Sequence, residues 1–465
     1  MKIEKGWLNM KRTLRKTCAL IISMVMLLAI GGTVMADADM DGQDGVIGDF
    51  TSPDVATTQD KSVKIYKEIT AYNPETCEVN APAITFTYTI THDTTLAGAD
   101  IWDASSHHAP ASNVNAKTKE GVGTPTITGT AAGELALVPG TDTLDASVNG
   151  TANRFPLTID FSGIDFTTAP GTGAGVYRYQ IDETTNETTK NASGIKEGEV
   201  ANTLFIDVYV NGAGDVYGYV LFTNRTGAID ARTDDDAAAA ASAGKTEGFV
   251  GSRDDGGTYG DPATDGSTAD KYYTFNLEVE KEVVNDTYTQ NNHHEFPFTI
   301  TLANTTVTAN VLPIMTVGQY ATQAALTAGP IAGTWLPTIG HTGKITYVGI
   351  PTGTTVTIKE TNDVTGVTYT SVSTGADTDA ASLDIATGVD SNTATVNCGA
   401  TALSAATENH TTTASKQVKF TNTLKQISPT GIIIRSAPYL LLFAVGAVLF
   451  ILIRHGKKNE KAKEA

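Results

Sequence analysis

Cysteine is scarce in this chain, with Cys18, Cys77 and Cys398 as the only three among 465 residues. Exported proteins often rely on disulfides, whose cysteines come in even numbers at regular spacings. Cys77 and Cys398 lie near opposite ends of the chain, and this excludes a disulfide framework. Stabilisation beyond ordinary packing must therefore come from some other source or be absent.

Basic residues are also scarce, because 32 lysines and arginines stand against 51 aspartates and glutamates, giving a net charge of −19. Such a chain repels nucleic acid and anionic lipid, so neither is predicted as a binding partner. No Ser-His-Asp set, phosphate loop or dinucleotide fingerprint is present, so we predict no turnover enzyme and no cofactor. Asp37, Asp39 and Asp41 are spaced like the start of a calcium loop, but Gly48 replaces its bidentate glutamate. No metal site is therefore predicted.

The N-terminus has the pattern of a secretory signal peptide. Six basic residues lie within the first 16 positions, and an apolar core from Cys18 to Ile30 follows. Val34-Met35-Ala36 then provides a small-residue exit, which predicts a signal peptide over residues 1–36. The acidic residues 37–57 are predicted to be a short mobile leader.

Long helical periodicity is absent, whereas the alternation typical of strands is frequent. The segment "AITFTYTITH" alternates apolar residues with threonine from position 83, and "FPFTITLAN" does the same from position 296. Period-2 alternation predicts half-buried antiparallel strands, and threonine suits their solvent face. Many short strands separated by Gly, Pro, Asn and Asp predict an all-β fold built from sandwiches.

Three pairs of similar segments recur in the same order, which predicts two related domains. They are "SVKIYKEI" with "NLEVEKEV", "VYRYQIDET" with "TVTIKETN", and "GYVLFTN" with "KQVKFTN". We predict a first domain over residues 58–270 and a second over 271–425. The Asp/Ala/Gly-rich residues 225–269 are predicted to be a loop or linker.

Strand phase places charged residues in both predicted cores. Residues two apart share a face, so Lys67 and Glu183 point inward with the apolar residues of their strands. Lys281, Glu360 and Asn422 do the same in the second domain. An unpaired buried charge is costly, and its recurrence in both domains is hard to explain by stability alone.

Burial of these groups has a chemical use. A low-dielectric core favours the neutral amine of a lysine and the neutral acid of a glutamate. A neutral amine held against an asparagine side chain can attack its carbonyl, while the glutamate shuttles protons to the departing ammonia. The product is a Lys–Asn isopeptide bond, formed once and without turnover. A buried Lys–Glu ion pair with a hydrogen-bonded asparagine is the alternative interpretation.

The C-terminal residues 426–465 contain a second apolar segment. Residues 432–453 carry Arg435 as their only charge, match the thickness of a bilayer core, and are followed by lysines. Pro429, Thr430 and Gly431 precede them, after Ser428. This order resembles a Gram-positive cell-wall sorting signal, although that family has leucine in place of Ser428. The resemblance implies sortase cleavage between threonine and glycine, with only a transient membrane-spanning helix. A retained membrane anchor is the alternative.

The chain as a whole resembles the major (backbone) pilins of Gram-positive bacteria, of the streptococcal isopeptide-linked type. The resemblance implies immunoglobulin-like β-sandwich domains, each with a lysine on its first strand, a glutamate on a middle strand and an asparagine on its last strand. In the second domain these residues match Lys281, Glu360 and Asn422, with Glu360 as the acid that promotes bond formation. It further implies a secreted protein of the cell wall or pilus, with sortase and other pilin subunits or peptidoglycan as partners.

Two assignments stay open. In the first domain Lys67 and Glu183 match the pattern, but the third residue is Asp270 by the family spacing and Asn224 by the internal repeat. Lys245 is the candidate lysine for linking subunits. A monomeric, wall-anchored adhesin that binds host matrix or glycan is the alternative function.

Overall fold

The computed structural model describes residues 38–41, 45–48, 58–92, 119–168, 173–223, 245–251, 268–331, 333–361, 369–376, 392–398, 416–424 and 441–450. The described chain is mostly β-strand, in agreement with the predicted all-β class. The sequence signals that identify particular strands are also confirmed. In "ITFTYTIT" and "FPFTITLA" the apolar residues at alternate positions are buried, except that Ile90 is half-buried, and all the threonines between them are exposed or half-buried.

The first sixteen strands lie between residues 38 and 284. They are β1 (Ala38–Asp39), β2 (Val46–Gly48), β3 (Ser62–Tyr72), β4 (Cys77–Asn80), β5 (Ile84–Thr91), β6 (Lys119–Glu120), β7 (Thr126–Thr128), β8 (Glu134–Leu137), β9 (Thr143–Ala146), β10 (Thr151–Asp160), β11 (Gly175–Glu183), β12 (Ile195–Lys196), β13 (Thr203–Val210), β14 (Val216–Phe222), β15 (Gly248–Phe249) and β16 (Asp270–Val284). A short helix α1 (Glu187–Ala192) follows β11, with Asn186 as its N-cap.

The remaining twelve strands follow. They are β17 (Glu295–Ala303), β18 (Asn310–Val311), β19 (Ile314–Val317), β20 (Ala321–Thr322), β21 (Gly329–Pro330), β22 (Thr334–Trp335), β23 (Thr338–Gly340), β24 (Lys344–Pro351), β25 (Thr354–Glu360), β26 (Tyr369–Ala376), β27 (Thr393–Cys398) and β28 (Lys416–Leu424). Helix α2 (Thr287–Asn291) lies between β16 and β17.

The first sandwich, formed by the described residues between 38 and 273, packs two sheets face to face. One sheet contains β7, β10 and β3, with β1, β15 and the start of β16 also paired to β3. The facing sheet has the order β2-β14-β13-β11-β5-β8. Val63, Ile65 and Leu157 from the first sheet pack in one apolar cluster with Tyr177 and Tyr179 from the second. Inward-facing residues of two sheets forming one core is the arrangement of a β-sandwich.

The second sandwich, formed by the described residues between 274 and 424, has its own core. In one sheet β16 lies between β24 and β28, and β26 pairs with β28. The other sheet has the order β20-β23-β17-β25-β27. Leu277 and Val279 pack there against Phe298, Ile300 and Ile358, and all five side chains are at most 1% exposed.

One strand joins the two sandwiches. Strand β16 runs for 15 residues, pairing with β3 at its start and with β24 and β28 further on. The predicted division at residues 270 and 271 therefore falls inside a continuous strand. At this junction Asn73 donates to Asn276 at 2.9 Å, Asn276 donates back at 3.0 Å, and the rings of Tyr72 and Tyr273 stack at 4.7 Å.

Parts of two segments predicted to lie outside the cores belong to the first sandwich. Ala38–Asp39 pairs with β3 and Val46–Gly48 with β14, so the predicted mobile leader contributes two strands. Met40 is fully buried, which explains why this acidic segment is held in place. From the predicted linker, Gly248 pairs with Tyr66 at a φ of +152°, and a Cβ there would lie 2.1 Å from the Tyr66 carbonyl oxygen. Only glycine suits that position.

The predicted signal peptide and the Pro429-Thr430-Gly431 motif lie outside the described residues. Within the predicted apolar segment, residues 441–450 are helical and exposed. Among the residues that the structure describes, no helix combines the length and the apolar character needed to cross a membrane.

Candidate functional site

The second sandwich buries a lysine, a glutamate and an asparagine in one cluster. Lys281 on β16 and Asn422 on the neighbouring β28 face Glu360 on β25 of the opposite sheet. Lys281 Nζ lies 3.1 Å from Glu360 Oε1, and Asn422 Nδ2 donates to the same oxygen at 2.6 Å. All three residues are at most 1% exposed. The strand phase that predicted inward-pointing polar side chains is thus confirmed, and Lys281 and Asn422 both contact Glu360.

The surroundings of Lys281 disfavour its charged form. Its Nζ lies 4.7 Å from the centre of the Phe296 ring, and its polar neighbours are Glu360 and, at 3.4 Å, the carbonyl oxygen of Phe420. Burial lowers the pKa of Lys281 from 10.5 to about 8, although Glu360 opposes the shift. At pH 7 this leaves roughly 9% of the amine neutral, against roughly 0.03% for an ordinary lysine.

The lowered pKa of Lys281 also links stability to pH while the amine remains free. Between pH 8 and 10.5 the unfolded chain holds this proton and the folded chain does not. The unfolded state therefore binds more protons there, and the free energy of unfolding rises with pH through this window. Below about pH 8 both states are protonated and the slope disappears.

Asn422 is only half satisfied. Its Oδ1 atom is buried without a hydrogen-bond partner among the described residues, while its Nδ2 binds Glu360. A buried acceptor without a partner costs roughly 1–3 kcal/mol, so this arrangement is not optimal for stability. A buried polar group without a partner in a native structure requires an explanation, and a catalytic role is one of them. The cluster therefore combines the carboxamide carbonyl of Asn422, the partly neutral amine of Lys281 and the carboxyl group of Glu360, which can act as acid and base.

The first sandwich contains a related cluster. Lys67 on β3 has its Nζ 2.8 Å from Glu183 Oε2 and 2.7 Å from Asp270 Oδ2. The Nζ also lies 4.8 Å from the centre of the Phe86 ring. Lys67, Glu183 and Asp270 are at most 5% exposed.

The two clusters share one strand register. Asp270 pairs with the residue of β3 that lies two positions after Lys67. Likewise, Asn422 pairs with the residue of β16 that lies two positions after Lys281. The glutamates also match, since Glu183 pairs with Tyr88 and Glu360 pairs with Phe298. Tyr88 and Phe298 each follow by two residues the phenylalanine whose ring lies near the lysine Nζ. Asp270 is therefore the positional counterpart of Asn422.

The internal repeat that favoured Asn224 is misaligned at its third segment. Strand β14, which contains "GYVLF", pairs with β13 and β2, whereas β28 pairs with β16 beside the lysine strand. Val220 and Phe222, whose phase Asn224 would share, belong to an apolar cluster separate from the core around Ile65. Asn224 itself lies outside the described residues.

Sequence reasoning missed a second lysine in the first cluster. Lys190 on α1 places its Nζ 2.6 Å from Glu183 Oε1, 3.1 Å from Asp270 Oδ2 and 3.1 Å from Glu197 Oε1. It is 1% exposed. The surrounding "ETTNETTKNAS" is polar throughout, so no sequence signal separates this lysine from an exposed one.

Lys245, the candidate for linking subunits, lies next to the end of β14. It forms an isolated antiparallel bridge with Phe222 and is half-buried. Within the described part of the chain, no group of three histidine, cysteine, aspartate or glutamate residues is placed to hold a metal ion. The two lysine clusters are accordingly the groups whose geometry suggests chemistry.

Comparison with known proteins gave structural similarities only. No protein-family model matches the chain, and no curated protein matches it. One major pilin from Streptococcus pyogenes is 15% identical over 82% of this chain and 99% of its own, with a TM-score of 0.33. Another major pilin from that organism is 16% identical over 82% of this chain and 100% of its own, with a TM-score of 0.34. A pilus-presented adhesin is 15% identical over 48% of this chain and 37% of its own, with a TM-score of 0.23. These similarities are too low to carry an argument about function, which must rest on the buried clusters.

Proposed function

We propose that this protein is a structural subunit of a sortase-assembled cell-surface pilus whose sandwiches staple themselves with isopeptide bonds. The observation that carries the proposal is the fully buried contact of Lys281, Glu360 and Asn422. A purely structural ion pair at this position would be poor for stability, because replacing it with packed apolar residues is often neutral or stabilising. A reaction that consumes the buried polar groups gives them a purpose.

The proposed reaction in the second sandwich begins with the neutral amine of Lys281. Its Nζ attacks Cγ of Asn422, so that a C–N bond forms and the bond from Cγ to Nδ2 breaks. Glu360 accepts a proton from the attacking nitrogen and returns one to Nδ2, which leaves as ammonia. Because Glu360 holds both side chains at hydrogen-bonding distance, it would supply the high effective concentration that an uncatalysed amide exchange lacks. The glutamate acts as general base and then as general acid.

In the first sandwich the proposed bond joins Lys67 to Asp270. Its formation releases water rather than ammonia, because the acceptor is a carboxyl group. Glu183 holds the position that Glu360 has in the second sandwich, and its Oε2 lies 2.8 Å from Lys67 Nζ. Asp270 is favoured over Asn224 by its 2.7 Å contact with Lys67.

The topology gives these bonds a mechanical role. Asp270 and Lys281 lie on the same strand β16, separated by 11 residues or roughly 36 Å of extended chain. With both bonds formed, tension entering at Asn422 would pass through Lys281, along β16 to Asp270, and into Lys67 on β3. This covalent path would bypass the unfolding of either sandwich. A fibre subunit under tension benefits from such a path, and it suits a chain with little cysteine.

The sorting motif and Lys245 complete the proposal. Sortase would cut between Thr430 and Gly431 and transfer the threonine to Lys245 of another subunit or to peptidoglycan. The decisive experiment is a denaturing blot of wall extracts from Gram-positive cells that express the full chain with a pilin sortase. We expect a ladder of high-mass species, its loss in Thr430→Ala, and its collapse to one wall-linked band in Lys245→Arg. A single anchored band from the wild-type chain would contradict the pilus assignment.

A further inference from the structure

Lys190 occupies the first cluster but has no part in the proposed bond. It approaches both carboxyl groups that Lys67 needs, at 2.6 Å from Glu183 Oε1 and 3.1 Å from Asp270 Oδ2. Asp270 Oδ1 additionally accepts from the backbone N–H of Gly198 at 2.8 Å. Lys190 thus completes a buried arrangement in which two ammonium groups alternate with two carboxylates.

The second sandwich has no counterpart of Lys190 in the matching part of the sequence. Lys190 follows Glu183 by seven residues, on the helix after β11. After Glu360, residues 361–415 contain neither lysine nor arginine. The two clusters therefore share a lysine and a glutamate, but the first has Asp270 where the second has Asn422, and it has an additional positive charge on Lys190.

That charge changes which protonation states are favourable. Burial alone would lower the pKa of Lys190, but the carboxylates of Glu183 and Asp270 outweigh burial and raise it above its usual value. Burial alone would likewise raise the pKa of Asp270, but Lys67 and Lys190 outweigh it and lower that pKa. Lys190 and Asp270 are therefore both stabilised in their ionised forms, whereas burial lowers the pKa of Lys281 in the second cluster.

Ionised groups do not condense. An ammonium nitrogen has no lone pair with which to attack, and a carboxylate carbon is a weak electrophile. Joining Lys67 to Asp270 forms one N–C bond and breaks one C–O bond, and two protons from the ammonium group leave with that oxygen as water. Before this can happen, a proton must move from Lys67 to a carboxyl group. A neighbouring ammonium group opposes that transfer, because it favours the ionised carboxylates.

We propose that Lys190 is a positioning residue that holds Lys67 and Asp270 as an ion pair, so that the first sandwich cross-links more slowly than the second. The inference rests on the proposed isopeptide function and adds an order to it. The subunit would first close the second sandwich, next to its sorting signal. The first sandwich would remain reversible for longer, held by ionic contacts among Lys67, Glu183, Lys190 and Asp270.

The test follows the mass of residues 37–430 after purification. Bond formation in the second sandwich removes about 17 Da and in the first about 18 Da, and tryptic peptides assign each loss to its lysine. We expect the wild-type chain to show the second-sandwich loss at the first time point and the first-sandwich loss with at least a tenfold longer half-time. Lys190→Gln should show both losses early, whereas Lys190→Arg, which keeps the charge, should behave like the wild type.

Folding of each variant is checked by near-ultraviolet circular dichroism. If Lys190→Gln fails to fold, the double variant Lys190→Gln/Glu197→Gln replaces it. The double variant removes Lys190 together with its partly exposed partner Glu197, so that Glu197 does not lose its ion-pair partner, and it should show the same acceleration.

Equal half-times in wild type and Lys190→Gln would overturn the inference alone. Absence of the first-sandwich loss in both chains would overturn it together with the proposed Lys67–Asp270 bond. A branched peptide joining Lys190, rather than Lys67, to Asp270 would also overturn it. The proposed function fails on a different result, namely the absence of the second-sandwich loss, which Lys190 does not influence. The two failures are therefore distinguishable in one experiment.

Discussion

Replacing Glu360 by glutamine should prevent the bond in the second sandwich while changing the side-chain volume very little. Glutamine cannot accept and return the protons that the attack of Lys281 on Asn422 requires. The Glu360→Gln chain should therefore keep Lys281 and Asn422 as unmodified side chains. The wild-type chain should have lost about 17 Da at this site.

The loss of stability follows from the length of chain that the bond closes. Lys281 and Asn422 are about 140 residues apart, and a cross-link of that span stabilises by about 5 kcal/mol in the loop-entropy model. For a domain of roughly 150 residues this corresponds to a decrease of about 10–20 °C in melting temperature. Glu360→Gln also removes the carboxylate 3.1 Å from Lys281 Nζ, so its total loss should exceed this value.

Two further variants separate these contributions. Asn422→Ala prevents the bond but keeps the contact between Lys281 and Glu360, so it should lose mainly the cross-link contribution of about 5 kcal/mol. Glu282→Gln is the matched control, because Glu282 adjoins Lys281 on the same strand but pairs with Lys419 at the surface. It should retain the bond and melt within a few degrees of the wild type.

Differential scanning calorimetry of residues 37–430, with intact mass measured on the same samples, gives both readouts. The reasoning is refuted if Glu360→Gln shows the same mass loss as the wild type. It is also refuted if Asn422→Ala melts at the wild-type temperature, because the bond would then contribute nothing to stability.

Three other perturbations test separate parts of the structure. In the Asn422→Ala background, the free energy of unfolding measured with urea should rise by about 1 kcal/mol between pH 7 and pH 9, because Lys281 loses its proton on folding in that range. Adding Lys281→Met should remove this rise, and a rise that persists would contradict the lowered pKa of Lys281. Gly248→Ala should lower the free energy of unfolding by about 1–3 kcal/mol, because its backbone has a positive φ and the added Cβ would be crowded. Gly163→Ala, with nothing within 4 Å of the added Cβ, should leave the free energy of unfolding nearly unchanged in the same assay. Asn73→Ala should lower the free energy of unfolding by about 1–3 kcal/mol, because it removes both hydrogen bonds to the buried Asn276 at the junction. An unchanged urea midpoint would contradict the importance of that contact.

The elements that the sequence predicted well are those set by local periodicity. The alternating apolar residues of β5 and β17 identified half-buried strands, and the same phase placed Lys67, Lys281 and Glu360 among core residues. A period of two residues fixes which face each side chain occupies, so a charged residue in the apolar phase can be recognised without a structure.

The elements that it predicted poorly depend on pairing between distant parts of the chain. Asp270 reaches Lys67 through parallel pairing of strands about 200 residues apart, so the family spacing pointed to Asp270 but no local pattern did. The internal repeat pointed instead to Asn224, because β14 resembles β28 in sequence. Strand β14, however, lies in the sheet that faces the lysine strand β3 and not beside that strand. Lys190 was missed because a single lysine in a polar helix carries no sign of burial.

Peptide mapping of residues 37–430 tests the central claim most directly. After digestion with trypsin, the account predicts one branched peptide that joins Lys281 to Asn422 and has a mass about 17 Da below the sum of its two arms. Recovery of the Lys281 and Asn422 peptides separately, each with its full unmodified mass, would contradict it.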